Sequence, residues 1–235
     1  MTLLRKPVIL AYWLVAAVLF FGTMGIVFFW TPEESTMGVI QKIFYFHLPV
    51  AINTFLACAT VFAAAIGYLL TRDAWWDDLA AASAKIAVLL ATGTLLTGML
   101  WAHGAWGVWW TWSPRLTFSF MLWLLYVVYL LVRSSIDSPQ RRAVVSAVYG
   151  LVAFLDVPLV YLSARLLPDI HPGNIALAPE MKLTLAACFV PITLVAFGLM
   201  LTQFEVYRRN RAIARQHESE EQTHAFPLKL KVSAA

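Results

Sequence analysis

Residues 79–101 read LAAASAKIAVLLATGTLLTGMLW, 23 positions with a single charge, Lys85, near one end. A helix rises about 1.5 Å per residue, so this run is long enough to cross a hydrocarbon layer about 30 Å thick. Five more stretches read the same way, at about 8–29, 46–70, 117–132, 143–163 and 183–206. The run at 117–132 is the shortest and leaves the least length for a full crossing. In lipid the backbone must satisfy its own hydrogen bonds, which predicts a helix for each run. The first is too long and ends too late for a signal peptide, and it has no small-residue cleavage site, so it reads as a retained span.

Composition agrees with these spans. The chain of 235 residues is 61% hydrophobic and 13% charged, against about a quarter charged in soluble domains. The expected fold class is an all-α integral membrane protein with six transmembrane helices. Residues 1–207 form the membrane domain and 208–235 a polar, mobile cytoplasmic tail, where composition shifts to stretches such as HESEEQTH. His217 and His224 in that tail read as solvated side chains.

Orientation follows from Lys and Arg near the span ends. With the N-terminus cytoplasmic, the inner flanks hold ten: Arg5, Lys6, Arg72, Arg133, Arg141, Arg142, Arg208, Arg209, Arg211 and Arg215. The outer flanks hold four, Lys42, Arg115, Arg165 and Lys182. Both termini are therefore expected inside. The net charge of +4 reads as topology and calls for no nucleic acid. Cys58 and Cys188 fall within spans. With no CxxC pair a thiol–disulfide oxidoreductase has no motif, and with no CxxCH the chain does not attach haem covalently to itself.

The three outer connections differ from the short, charged inner ones. The second is HGAWGVWWTWSPRLT at 103–117, with Trp106, Trp109, Trp110 and Trp112 within seven residues. Spacing of i, i+3, i+4 would place Trp106, Trp109 and Trp110 on one side of a helical turn, and Pro114 disfavours helix through Ser113. An interfacial aromatic belt is one reading, which accounts well for Trp13, Trp30, Trp75 and Trp76. A stacking platform for a large planar apolar molecule is the other, and it accounts better for the clustering.

Two histidines lie on the other outer segments. His47 precedes Pro49 in FYFHLPVA; with Pro49 as the first helical residue, His47 sits at the outer boundary. His171 lies among prolines in ARLLPDIHPGNIALAPEMK, residues 164–182. Each alone reads as structural. As a pair they suit the two faces of a porphyrin, since imidazole is a common axial ligand of haem iron. His103 ranks below them, with a hydrogen bond at a helix terminus as its simplest role. Arg115 reads either as a snorkelling cation or as a fork for haem propionates. Asp156 is the one candidate for an ionisable group inside a span, expected to pack near the third outer loop.

WGVWWTWSPRLT resembles the tryptophan-rich WGxWWxWDxRLT signature of the CcmC-type haem exporter protein C family of cytochrome c biogenesis. FYFHLPVA at 44–51 and DVPLVYLSARLLPDIHP at 156–172 resemble its two histidine segments. The resemblance covers roughly residues 5–207. It implies a haem-handling protein of the bacterial cytoplasmic (inner) membrane that is not an enzyme. Its cargo would be haem b, bound non-covalently, with His47 and His171 as axial ligands to iron. Trp106, Trp109, Trp110, Trp112 and Arg115 would contact haem and present it to a periplasmic haem chaperone of the CcmE type. The implied partners also include ABC-type permease and ATPase subunits and a small single-span subunit. Two departures stand out. Ser113 replaces the signature's acidic residue, and Leu166–Leu167 replace a tryptophan pair.

Two other classes fit the residues less well. A quinol-linked integral cytochrome needs histidines deep in the bundle, and none of the five lies mid-span. An intramembrane hydrolase lacks its parts, since no GxSxG, GxSG or HExxH occurs, and a general transporter would mark its path with ionisable residues mid-span, for which Asp156 is the one candidate.

Overall fold

The structure, a computed structural model, describes residues 6–167, 171 and 177–225. Arg5, Pro168, Pro172 and the last ten residues lie outside the described residues. Among the described residues the fold is all-helical: α1 (Lys6–Gly25), α2 (Phe44–Thr71), α3 (Ala74–Trp106), α4 (Pro114–Ser134), α5 (Pro139–Phe154), α6 (Asp156–Leu166) and α7 (Pro179–Ala225). A π-helical turn, Ile26–Trp30, extends α1, and a 3-10 turn, Val39–Ile43, leads into α2. They make six stretches long and apolar enough to cross a membrane. Val18, Phe21 and Leu70 are largely exposed on the bundle surface, as a lipid-facing wall requires and a wetted one does not.

Local chemistry sets the ends. The Asp73 carboxylate accepts from the Trp75 N–H at 2.9 Å and caps α3. Gly107, at φ 73°, closes α3 in the left-handed conformation, its N–H returning to the His103 carbonyl. Pro114 opens α4 after an extended Ser113, as the proline predicts. The fourth span gains residues at both ends relative to 117–132 and reaches 21. In the loop before α2, the Glu34 carboxylate accepts the N–H groups of Thr36 and Met37, chiefly that of Met37, which lowers its pKa.

Three expectations are corrected. Pro49 does not begin α2; the helix starts at Phe44 and carries Pro49 inside it. Phe44 and Tyr45 are buried in a cluster with Trp101, Met181 and Cys188, and that packing holds the turn before the proline. The fifth span is broken at Leu155 into α5 and α6, because Pro158 has no N–H for the Phe154 carbonyl. Asp156 sits at this break, buried, with Cys58 and Tyr126 within electrostatic reach, rather than near the third outer loop.

Only Arg72 and Asp73 separate α2 from α3, which forces them side by side and antiparallel. α7 lies along both and carries α1 on its far side; α5 packs on α2, and α4 packs on α3, α5 and α6. Buried Ala80, Ala81, Ala82, Ala84 and Ala87 let neighbours approach α3 closely. The end of the bundle opposite the tryptophan loop is tied by ions. Arg133 of α4 grips Asp77 of α3 with both nitrogens, at 2.6 and 2.7 Å, and Arg211 of α7 bridges Asp77 and Asp78 at 3.1 and 2.6 Å. α7 runs unbroken through position 208 to Ala225, so the start of the polar tail is helical, with His217 exposed.

Candidate functional site

At the tryptophan-loop end, a cavity of about 360 Å³ opens between α2, α3, α4 and α6, within the size range of small-molecule sites. His47, on the first turn of α2, and His171, beyond α6, both line it, as do Trp101, Trp106, Trp110 and Arg115. The fold thus brings the two predicted histidines together from segments 124 positions apart in the chain (47 to 171). Their ring centres are 6.4 Å apart and their planes differ by 37°.

The hydrogen bonds define the state of His47. Its Nδ1 lies 2.9 Å from the Thr97 hydroxyl. That hydroxyl has two carbonyls in reach for its one proton, Gly93 at 2.7 Å and Thr94 at 3.2 Å, and a carbonyl can only accept. When it donates to either, Thr97 accepts from His47, so Nδ1 carries the ring proton and Nε2 keeps a lone pair. This is the tautomer in which a histidine binds metal through Nε2 with its other nitrogen anchored. Gly98, the next residue, leaves the room: a Cβ there would stand 3.3 Å from His47 Cε1.

His171 is held differently. Nη1 of Arg115 lies 2.7 Å from its Nδ1. A guanidinium only donates, so Nδ1 is the acceptor here. Pro114 starts α4, and Arg115 in its first turn lines the cavity.

Trp101 organises the pair. It is 1% exposed, with ring centres 6.0 Å from His47, 5.6 Å from His171 (edge-on, at 87°) and 6.1 Å from Trp106. Sequence reasoning passed over it as the end of a span, and it passed over Thr97 and Gly98. The TG pair a turn before Trp101 was the available signal, a hydroxyl beside a residue without a side chain inside an apolar run.

The four loop tryptophans do not share one face. The spacing of Trp106, Trp109 and Trp110 predicts a helical turn, but α3 ends at Trp106 because Gly107 turns left-handed, and the chain is extended beyond. Trp106 and Trp110 line the cavity. Trp109 instead stacks on the ring of His103, centres 4.1 Å apart, while the His103 carbonyl accepts the Gly107 N–H at the end of α3. Trp112 is 72% exposed and packs edge-on against Trp110 and Phe120. At the cavity, Nε1 of Trp110 is buried without a hydrogen-bond partner, a donor near the cationic Arg115. Leu166 and Leu167, at the departure from the tryptophan pair, are exposed.

Chemically the arrangement offers two imidazoles, indole walls, and N–H donors of Arg115 and Trp110 suited to a carboxylate. Among the described residues no group of three or more His, Cys, Asp or Glu could hold a metal ion.

The family model described as CcmC, heme exporter protein C, matches residues 1–224. The heme exporter protein C of Paracoccus denitrificans is 27% identical over 222 residues, covering 88% of this chain and 91% of the relative. That of Rhodobacter capsulatus is 28% identical over 218 residues, covering 88% and 90%. That of Escherichia coli K12 is 25% identical over 191 residues, covering 80% and 77%.

Proposed function

The chain belongs to the heme exporter protein C family, and from that premise we propose that it holds haem between His47 and His171 at the outer membrane face and hands it to a periplasmic haem chaperone for cytochrome c maturation. The observation that carries this reading is the 6.4 Å between the two imidazole centres. Imidazole nitrogens lie about 2 Å from a metal they bind, so two rings on opposite sides of one metal atom have centres about 6 Å apart. A bare transition-metal ion takes three or more protein donors in an ordinary site, and among the described residues a third does not join the pair. A metalloporphyrin brings its equatorial nitrogens with it and asks the protein only for the axial positions.

Each neighbouring residue then has a task. Thr97 keeps the His47 Nε2 lone pair facing the metal. Trp101, Trp106 and Trp110 wall the ring. Arg115 and the Trp110 N–H receive a propionate, and when Arg115 leaves His171 for it, the ring proton of His171 moves to Nδ1 and frees Nε2 for iron. No acid at position 113 competes for Arg115, since Ser113 stands there. Trp109 and Trp112, turned out of the cavity, face the chaperone. Orientation follows the cation asymmetry: the Asp77–Arg133 end is cytoplasmic, with both termini and the polar tail, and the haem end is periplasmic.

The test is a haem titration of purified protein followed by its absorbance spectrum. Wild type should give a six-coordinate, bis-imidazole spectrum, and His47→Ala or His171→Ala should each lose it. Trp112→Ala should keep the spectrum and slow transfer to the chaperone. An unchanged spectrum in both histidine variants would remove the axial assignment.

A further inference from the structure

A second cavity, of about 630 Å³, lies at the opposite, charged end of the bundle between α3, α4, α5 and α7. Five cations line it, against two carboxylates, Asp78 and Glu218. Arg133 and Arg211 are already neutralised by Asp77 and Asp78. Lys85 of α3, Arg142 of α5 and Arg215 of α7 are not: among the described residues none of them makes an ion pair. Nε of Arg142 is moreover buried with no hydrogen-bond partner. We propose that this cavity is a binding site for a phosphate-bearing anion, held by Lys85, Arg142 and Arg215, and that its occupant is the headgroup of an anionic phospholipid.

Basic residues at one end of a membrane bundle serve orientation, but orientation requires neither convergence nor burial. Here three helices direct their unneutralised cations at one concavity, which raises their mutual repulsion, and a buried guanidinium N–H without an acceptor adds a desolvation cost. A phosphoryl group relieves both, because it is anionic and accepts several hydrogen bonds at once. Lys85 is held at the wall by the ring of Tyr207, its Nζ 4.9 Å from the ring centre.

The depth of the cavity selects a lipid. α4 has 21 residues, about the length needed to traverse the hydrocarbon core, and Leu130, Arg133 and Ser134 in its last turn line the cavity. The site therefore stands at the level where headgroups lie, with Leu130 on the acyl-chain side and the cations on the polar side. Basic pockets between membrane helices at such a boundary suit doubly charged headgroups.

The experiment uses full-length protein and the Arg142→Gln/Arg215→Gln variant, delipidated in detergent. Each is offered cardiolipin, phosphatidylglycerol, phosphatidylcholine or inorganic pyrophosphate, with native mass spectrometry and the thermal unfolding midpoint as readouts. Neither arginine is ion-paired, so the variant leaves no orphaned carboxylate; Lys85→Gln serves as an independent second variant. Wild type should retain cardiolipin over phosphatidylcholine, and the double variant should bind it about thirty-fold more weakly, about five-fold for each cation lost near the surface. Stabilisation by pyrophosphate without lipid adducts would keep the phosphate chemistry and move its source to a soluble compound. Equal retention of cardiolipin by variant and wild type, or no preference for any phosphate probe over phosphatidylcholine, would overturn the site. None of these outcomes depends on haem.

Discussion

Replacing Thr97 with Val tests the proposed haem site at a residue that touches no ligand. Valine keeps the shape of threonine and removes the oxygen that lies 2.9 Å from His47 Nδ1. Without haem the ring has a remedy, since its proton can move to Nε2 and face the cavity. With haem Nε2 is committed to iron, and the Nδ1 proton loses its hydroxyl acceptor and keeps only the backbone carbonyl of Thr94 beside it. A buried donor that loses its acceptor costs about 1–3 kcal/mol, and the cost falls on the loaded state alone. Loss of an outer partner of a metal-bound histidine weakens metal binding about 10–100-fold, which converts to about 1.4–2.7 kcal/mol. The two routes agree. The assay is a haem titration of the purified variant in detergent, with Thr97→Ser, which keeps the oxygen, as control. We expect the valine variant to weaken haem binding by one to two decades and the serine variant to stay close to wild type. A loss below about five-fold, under the floor of about 1 kcal/mol, would refute the reasoning that Thr97 sets the tautomer.

Gly98→Ala would place a Cβ 3.3 Å from His47 Cε1, tight enough to push the ring by a few tenths of an ångström; haem affinity should fall while the unfolding midpoint holds, and an unchanged affinity would show that the ring position tolerates the shift. Asp77→Asn leaves Arg133, whose side chain is 8% exposed, without its counter-charge, a loss of about 3–5 kcal/mol for breaking a buried pair. Denaturant unfolding in detergent should show it, and Asp77→Leu with Arg133→Met should restore most of the loss; a single variant as stable as wild type would mean that the pair is not buried in the membrane-embedded protein.

The sequence by itself determined the helical class, the six runs long and apolar enough to cross a membrane, and the pairing of a tryptophan loop with two histidines. A span is a local property, because lipid thickness sets its length and lipid polarity its composition, and neither depends on what packs beside it. Pro114 and Gly107 marked their helix ends for the same reason, since each constrains its own backbone. What a side chain faces is not local. The tertiary structure decided that Trp106 and Trp110 line the cavity while Trp109 turns to His103, because the helical period stops at Gly107. It decided that α2 continues back through Pro49, since the burial of Phe44 and Tyr45 outweighs one missing hydrogen bond. Thr97 and Trp101 gained their parts only when α2 folded back on α3 and brought His47 beside them. The cations at the other end, which by sequence give only a sense of orientation, were sorted by three-dimensional packing into those that Asp77 and Asp78 neutralise and those left around an open cavity, because charge pairing depends on distance in space and not on spacing along the chain.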